Sequence, residues 1–325
     1  MEQRKIILFG KSAFCMTLPH SWVQKNKLKK GDVLNVQETL RNSLELIPST
    51  LKPQGSSSLT LDIAGKSTDE IVQRLLATYL NGYTVINLEG INNGKVAYLR
   101  EHIHEFIAAE IMEVTSNRIV VHVFWDIETI NLVAILKRIG HIIRSIFEET
   151  GDLLEMKIRV NDITEKGYEV QRQVLLAKRA ITYALNNSAT AQKFNLSSLE
   201  LYYISYIIYF SGKIAEYLLL IAEIIQKALL EKEIDAKSKK ELKALFERTF
   251  IYYDKVLDIY NKKAQQQKFV ISEYQVFEDA INAFRSKNQH TWRPIAAEYM
   301  MLLIRTVKEM EFIMINLENS PKLLA

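Results

Sequence analysis

The chain has 325 residues, 48% of them hydrophobic and 25% charged, with one cysteine and a formal net charge of +4. This is a globular balance rather than a disordered one, and the length predicts two or three domains. The lone Cys15 excludes a disulfide framework and suits a reducing compartment, where it reads as structural filler in a strand.

Residues 1–50 carry eight bases (Arg4, Lys5, Lys11, Lys25, Lys27, Lys29, Lys30 and Arg41) against four acids (Glu2, Asp32, Glu38 and Glu45). The remaining residues hold 34 of each sign, so the whole positive excess sits on the first fifty. Such asymmetry is either an electrostatic footprint for a polyanion or a solvated surface. EQRK (2–5) precedes only four apolar residues, too few for a secretory leader. The longest apolar run, Tyr202–Gly212, is too short to span a bilayer. A cytoplasmic protein without membrane insertion is expected.

In chain order, Arg4–Phe9 and Ala13–Leu18 read as strands joined by Gly10-Lys11-Ser12. That trio does not complete a phosphate-binding loop. Lys5 stands where the first glycine is needed, and AFCMTL alternates like a strand instead of opening a helix. Pro19 then starts a helix, HSWVQKNKL, which Lys30-Gly31-Asp32 stops. Strands Val33–Glu38 and Leu44–Pro48 follow around a turn at Arg41-Asn42-Ser43. Fifty residues of this kind bury little core alone, and dimerisation is the usual remedy.

LKPQGSSS (51–58) is a linker by composition. Beyond it come a strand at LTLDIAG, a helix over Thr68–Asn81, a strand at Tyr83–Gly90 and a helix over Lys95–Glu110. A hairpin turned at Thr115-Ser116-Asn117 closes this α/β unit, which spans 59–125. From Ile127 onward only helical periodicity remains. Leu132, Ile135, Leu136, Ile139, Ile142, Ile143, Ile146 and Phe147 form one buried stripe. Further patterns cover 153–187, 196–230, 236–266, 271–286 and 291–318, with breaks at Gly151-Asp152, Asn186-Asn187-Ser188, Glu233–Ser238, Lys268 and Asn288-Gln289. Six helices in two groups of three make an antiparallel bundle over 126–325. The expected class is α+β and multidomain: a small β head, an α/β connector and an all-α bundle.

Candidate chemistry is sparse. In REHIHE, His102 and His104 are two apart and face different sides of a helix, whereas a helical zinc pair needs a four-residue step. His141 lies beside the buried stripe and reads as a core-edge histidine. Trp22, Trp125 and Trp292 fall at element ends and read as packing residues. With no nucleophile–base pair, glycine cradle or acid dyad in the sequence, no enzyme is expected.

Two stretches carry a resemblance. KIILFGKSAFCMTLPHSWVQKNKLKKGDVLNV resembles the AbrB/SpoVT/MazE-type DNA-binding hairpin, in which a strand precedes a Leu-Pro-initiated helix, a Gly-Asp turn and another strand. NGYTVINLEG and FIAAEIMEVTSNRIVV resemble the connecting domain of archaeal proteins that join such a head to a PhoU-type helical domain. The resemblance implies a swapped-hairpin homodimer that binds duplex DNA and regulates phosphate uptake, with a bundle that senses phosphate status or docks a transporter or signalling protein. Carried over by position, the DNA-binding residues are Arg4, Lys5, Lys11 and Ser12, with Lys25, Lys27, Lys29 and Lys30 flanking them or merely solubilising the head. Alternatives are an adaptor whose head only dimerises, and an antitoxin-like regulator.

PhoU-type bundles often hold metals on carboxylates. Here Gly167 and Gln171, Tyr209 and Lys213, and Ile304 and Lys308 stand at those places, so no metal or other cofactor is expected. Lys213 and Lys308 occupy equivalent places in the two halves. They read either as contacts for phosphate or a partner's carboxylates, or as lysines paired with Glu216 and Glu309.

Overall fold

Short alternating runs around glycine turns make the start of the chain a pair of two-stranded ladders. In a computed structural model that describes residues 2–38, 43–49, 57–91, 93–260, 271–286 and 291–319, contacts divide the chain into two units, Met1–Gly55 and Ser56–Ala325. In the first, β1 (Ile7–Phe9) pairs antiparallel with β2 (Ala13–Cys15), α1 spans His20–Lys25, and β3 (Leu34–Glu38) pairs antiparallel with β4 (Leu44–Pro48). The first two strands are shorter than the sequence predicts. The helix also ends early. Lys27 adopts φ 53°, and the amides of Lys27 and Leu28 donate back to the carbonyls of Gln24 and Val23, which closes α1 before Leu28.

The second unit begins with a four-stranded sheet. β5 (Ser58–Asp62) runs parallel to β6 (Val85–Glu89) through the crossover helix α2 (Thr68–Leu80). After a 3₁₀ turn, α3 (Val96–Ile103) leads to the hairpin of β7 (Ala109–Val114) and β8 (Arg118–Val123), and the strand order is β5-β6-β8-β7. Alternation sends Ile86, Leu88, Ile119 and Val121 into one core with Ile71, Leu75 and Tyr79 of α2 and Leu99 of α3. The expected helix to Glu110 stops at Ile103 instead. Ala108 takes φ 66°, and Glu110 enters a strand whose backbone partners lie in β8.

The remainder is helical: α4 (Leu132–Leu154), α5 (Val160–Asn186), the short α6 (Ser188–Lys193), α7 (Ser198–Leu230), α8 (Ala236–Tyr260), α9 (Ile271–Ser286) and α10 (Trp292–Glu318). α7 packs on α4, α5 and α10, while α10 packs on α8 and α9. Two three-helix groups therefore share one core, in which Ile208, Ile214 and Leu218 of α7 meet Ile304 and Val307 of α10. Each fully buried aliphatic side chain of this kind contributes ~1.5–3 kcal/mol. α7 starts with a reciprocal capping box, Ser197 Oγ accepting from Glu200 N–H and the Glu200 carboxylate accepting from Ser197 N–H.

α4 runs through Gly151-Asp152 because Thr150, Leu153 and Leu154 are buried on its inner face, and the stop comes at Met156 with φ 58°. α6, not predicted, forms because the Asn187 side chain accepts from Thr190 N–H. The expected turn at Arg41 and Asn42, linker residues 51–56, positions 261–266 and the breaks at Lys268 and Asn288-Gln289 lie outside the described residues. Among the described residues, no helix is long and apolar enough to cross a membrane.

Connector and bundle share a buried arginine. Arg179 of α5 is fully buried and donates to the carbonyls of Tyr79, Gly82 (3.1 Å) and Tyr83 (3.0 Å) at the end of α2. Its guanidinium carbon lies 4.8 Å from the ring centres of both Tyr79 and Trp125. Burial lowers its pKa from 12.5 to about 10, and burial pushes the Tyr79 phenol up to about 12.

Candidate nucleic-acid interface

The β1–β2 register pairs Ile7 with Cys15, Leu8 with Phe14 and Phe9 with Ala13, which leaves Gly10-Lys11-Ser12 as the turn. Gly10 sits at φ +69° with open space where a Cβ would be, so conformation rather than crowding calls for glycine. Lys11 and Ser12 thus lie at the tip of the hairpin, while Arg4 and Lys5 lie at its open end. The hairpin separates these two pairs rather than clustering them.

Lys25 ends α1, and Lys27 follows in the left-handed conformation described above. Lys29 and Lys30 belong to a second glycine turn. Gly31 has φ +97°, and the Asp32 carboxylate accepts from Lys29 N–H at 2.7 Å. Asp32 thereby fastens the backbone and leaves the ammonium groups unneutralised. Among the described residues, the side chains of Lys5, Lys11, Lys25, Lys27, Lys29 and Lys30 have no ion pair. Arg4, by contrast, pairs with Glu2 at an exposed site. An exposed pair of this kind contributes little and exchanges readily for another anion.

The apolar side chains of this unit lie uncovered within one chain. Phe9 and Phe14 are 72% and 73% exposed, and Ile7, Leu8, Val36 and Leu44 are exposed as well. Because neighbours along a strand point to opposite sides, Ile7 and Phe9 occupy one face of the ribbon and Leu8 the other. Both faces call for cover. Cys15, read as filler, is exposed.

The chain matches no protein-family model, no curated protein and no solved structure.

In the bundle, Gly167, Gln171 and Ile304 are committed to packing, whereas Tyr209 is exposed. Gly167 lets the Leu219 side chain sit where a Cβ would go, 2.8 Å from Leu219 Cγ. Gln171 Nε2 donates to Gly212 O at 3.1 Å, and Ile304 is fully buried. Lys213 and Lys308 turn out to be inequivalent. Lys213 pairs with Glu216 at 2.8 Å, which raises its pKa, whereas the Lys308 ammonium lies 3.9 Å from the Tyr274 ring centre. His102 Nδ1 lies 2.9 Å from Tyr98 O, one turn earlier on α3. His141 is exposed rather than satisfied at the core edge. Trp125 packs against the cores of both connector and bundle, and Trp292 meets Phe284 edge-on. In the sequence Arg179 is marked only as a base three and four residues after Leu176 and Leu175, of which Leu175 packs on the connector core.

Proposed function

We propose that the chain is a homodimeric, DNA-binding transcriptional regulator whose head holds duplex DNA and whose helical domain reads phosphate status or a partner protein. The observation that carries this reading is that the entire positive excess falls on the first fifty residues, whose lysines have no ion pair among the described residues. Long cations on a small scaffold suit phosphate contacts, with Ser12 and backbone N–H groups supplying register. The head's uncovered apolar faces support pairing with a second copy, as in the swapped hairpins of the AbrB-type proteins it resembles. The phosphate-uptake role and the PhoU-like assignment of the bundle come with that resemblance.

A second reading has one observation in its favour. Tyr206, Phe210 and Phe312 border a groove on α7 and α10, with Phe312 65% exposed, as an adaptor docking on a transporter or kinase would need. Fluorescence anisotropy with labelled duplex across a salt series separates the two. DNA binding gives log–log slopes of about −0.9 per phosphate contacted. Replacing Arg4, Lys5 and Lys11 by alanine flattens the slope by up to about three contacts per head. Absence of duplex binding at low salt would overturn the regulator and leave the adaptor.

A further inference from the structure

The bundle contains a cavity of about 400 Å³ where α4 meets α7, α8 and α10. Its depth is apolar and deformable, lined by Ile207, Met310 and Met314. Gly140 opens the α4 side, because a Cβ there would come within 3.3 Å of Leu257 Cδ1 and narrow the gap. Ser211 adds little polarity, since its hydroxyl donates to Ile207 O at 2.8 Å.

The mouth is cationic. Lys137, His141 and Arg144 recur at three- and four-residue steps and so share one face of α4. The Arg144 side chain donates through Nε to Asp254 at 2.5 Å, leaving both terminal amino groups of the guanidinium without a protein partner among the described residues. Lys137 and Arg144 set two fixed cations against the single carboxylate of Asp254, an imbalance that one negative charge corrects and two overcorrect.

The geometry points to a binding site for an amphipathic monoanion, a medium-chain carboxylate whose chain fills the methionine-lined depth and whose head meets Lys137 and Arg144. A volume of this size lies within the usual range for small-ligand pockets. The inference does not depend on the head binding DNA, and its test leaves DNA out.

The test is calorimetric titration of the full chain with decanoate, decanol, decyl phosphate and inorganic phosphate. Decanoate binds saturably, and decanol and decyl phosphate each bind about tenfold or more weaker (~1.4 kcal/mol per tenfold). Inorganic phosphate does not compete. Lys137→Gln and Arg144→Gln each weaken decanoate about tenfold, and the double variant no longer tells decanoate from decanol. Lys137 is exposed and Arg144 partly so, and unchanged thermal melting of the variants shows that the fold survives. No saturable decanoate binding, equal binding of decanol by the parent, or wild-type affinity in the double variant would each overturn the site. Tighter binding of decyl phosphate or competition by inorganic phosphate would overturn the monoanion assignment.

Discussion

Replacing Arg179 by alanine removes a buried cation that three backbone carbonyls, those of Tyr79, Gly82 and Tyr83, use as a donor. Hydrogen bonds to a charged group contribute ~1.5–3 kcal/mol each, so three give roughly 4–9 kcal/mol. Against this stands the cost of burying the charge. A pKa lowered from 12.5 to about 10 corresponds to about 3 kcal/mol against the charged form. The arginine is therefore worth about 1–6 kcal/mol net. Truncation also strands carbonyls at the end of α2, and a buried acceptor left without a donor costs ~1–3 kcal/mol, which places the expected loss in the upper part of that range.

Arg179→Lys keeps the charge but loses the planar fork, and it falls between alanine and the parent. Urea unfolding followed by circular dichroism measures the loss, and amide exchange shows whether α2 opens first. Arg179→Ala within about 0.5 kcal/mol of the parent, the range of an ordinary surface substitution, would refute the reasoning.

Gly167→Ala overpacks against Leu219 at a cost of about 1–3 kcal/mol, less up to about 1 kcal/mol regained from helix propensity, so it destabilises. In a Leu219→Ala background the same change becomes stabilising, and a double-mutant cycle reads the difference. The Ser238 hydroxyl, and after it the Ser238 backbone N–H that Asp235 accepts from, lower the Asp235 pKa below 3.8. Its contribution is fully present above 3.8 and is lost as pH falls through the folded-state pKa. Asp235→Ala is therefore less stable than the parent at neutral pH, and acid titrations of the two converge below that pKa.

Where local chemistry decides the outcome, the sequence was readable. Gly10 at the hairpin tip, the Thr115–Asn117 turn with Arg118 N–H donating to Thr115 Oγ1, and the stripe of α4 all follow from residues close together in the chain. Failures came where distant partners decide. Gly151-Asp152 looks like a stop until Leu153 and Leu154 find a core to enter. Glu110 looks helical until β8 offers its backbone. Arg179 sits about a hundred residues from the carbonyls it serves, so nothing local marks it as buried. The candidate head lysines were visible as charge, but their lack of ion pairs was not. The cavity beside His141 needs Met310 and Met314 from the far end of the chain.

The two units manage apolar surface in opposite ways. In the bundle, Ile204, Ile208 and Leu218 of α7 are almost wholly enclosed within one chain. The head instead exposes Phe9 and Phe14 and holds its strands as two separate two-stranded ladders. An isolated two-stranded ribbon is marginal in water, and a fifty-residue unit has little core with which to offset chain entropy. Under the proposed reading, a second copy that covers these faces also brings a second set of lysines. Folding and DNA affinity would then share one concentration dependence, because the association that buries the phenylalanines also assembles the cationic surface.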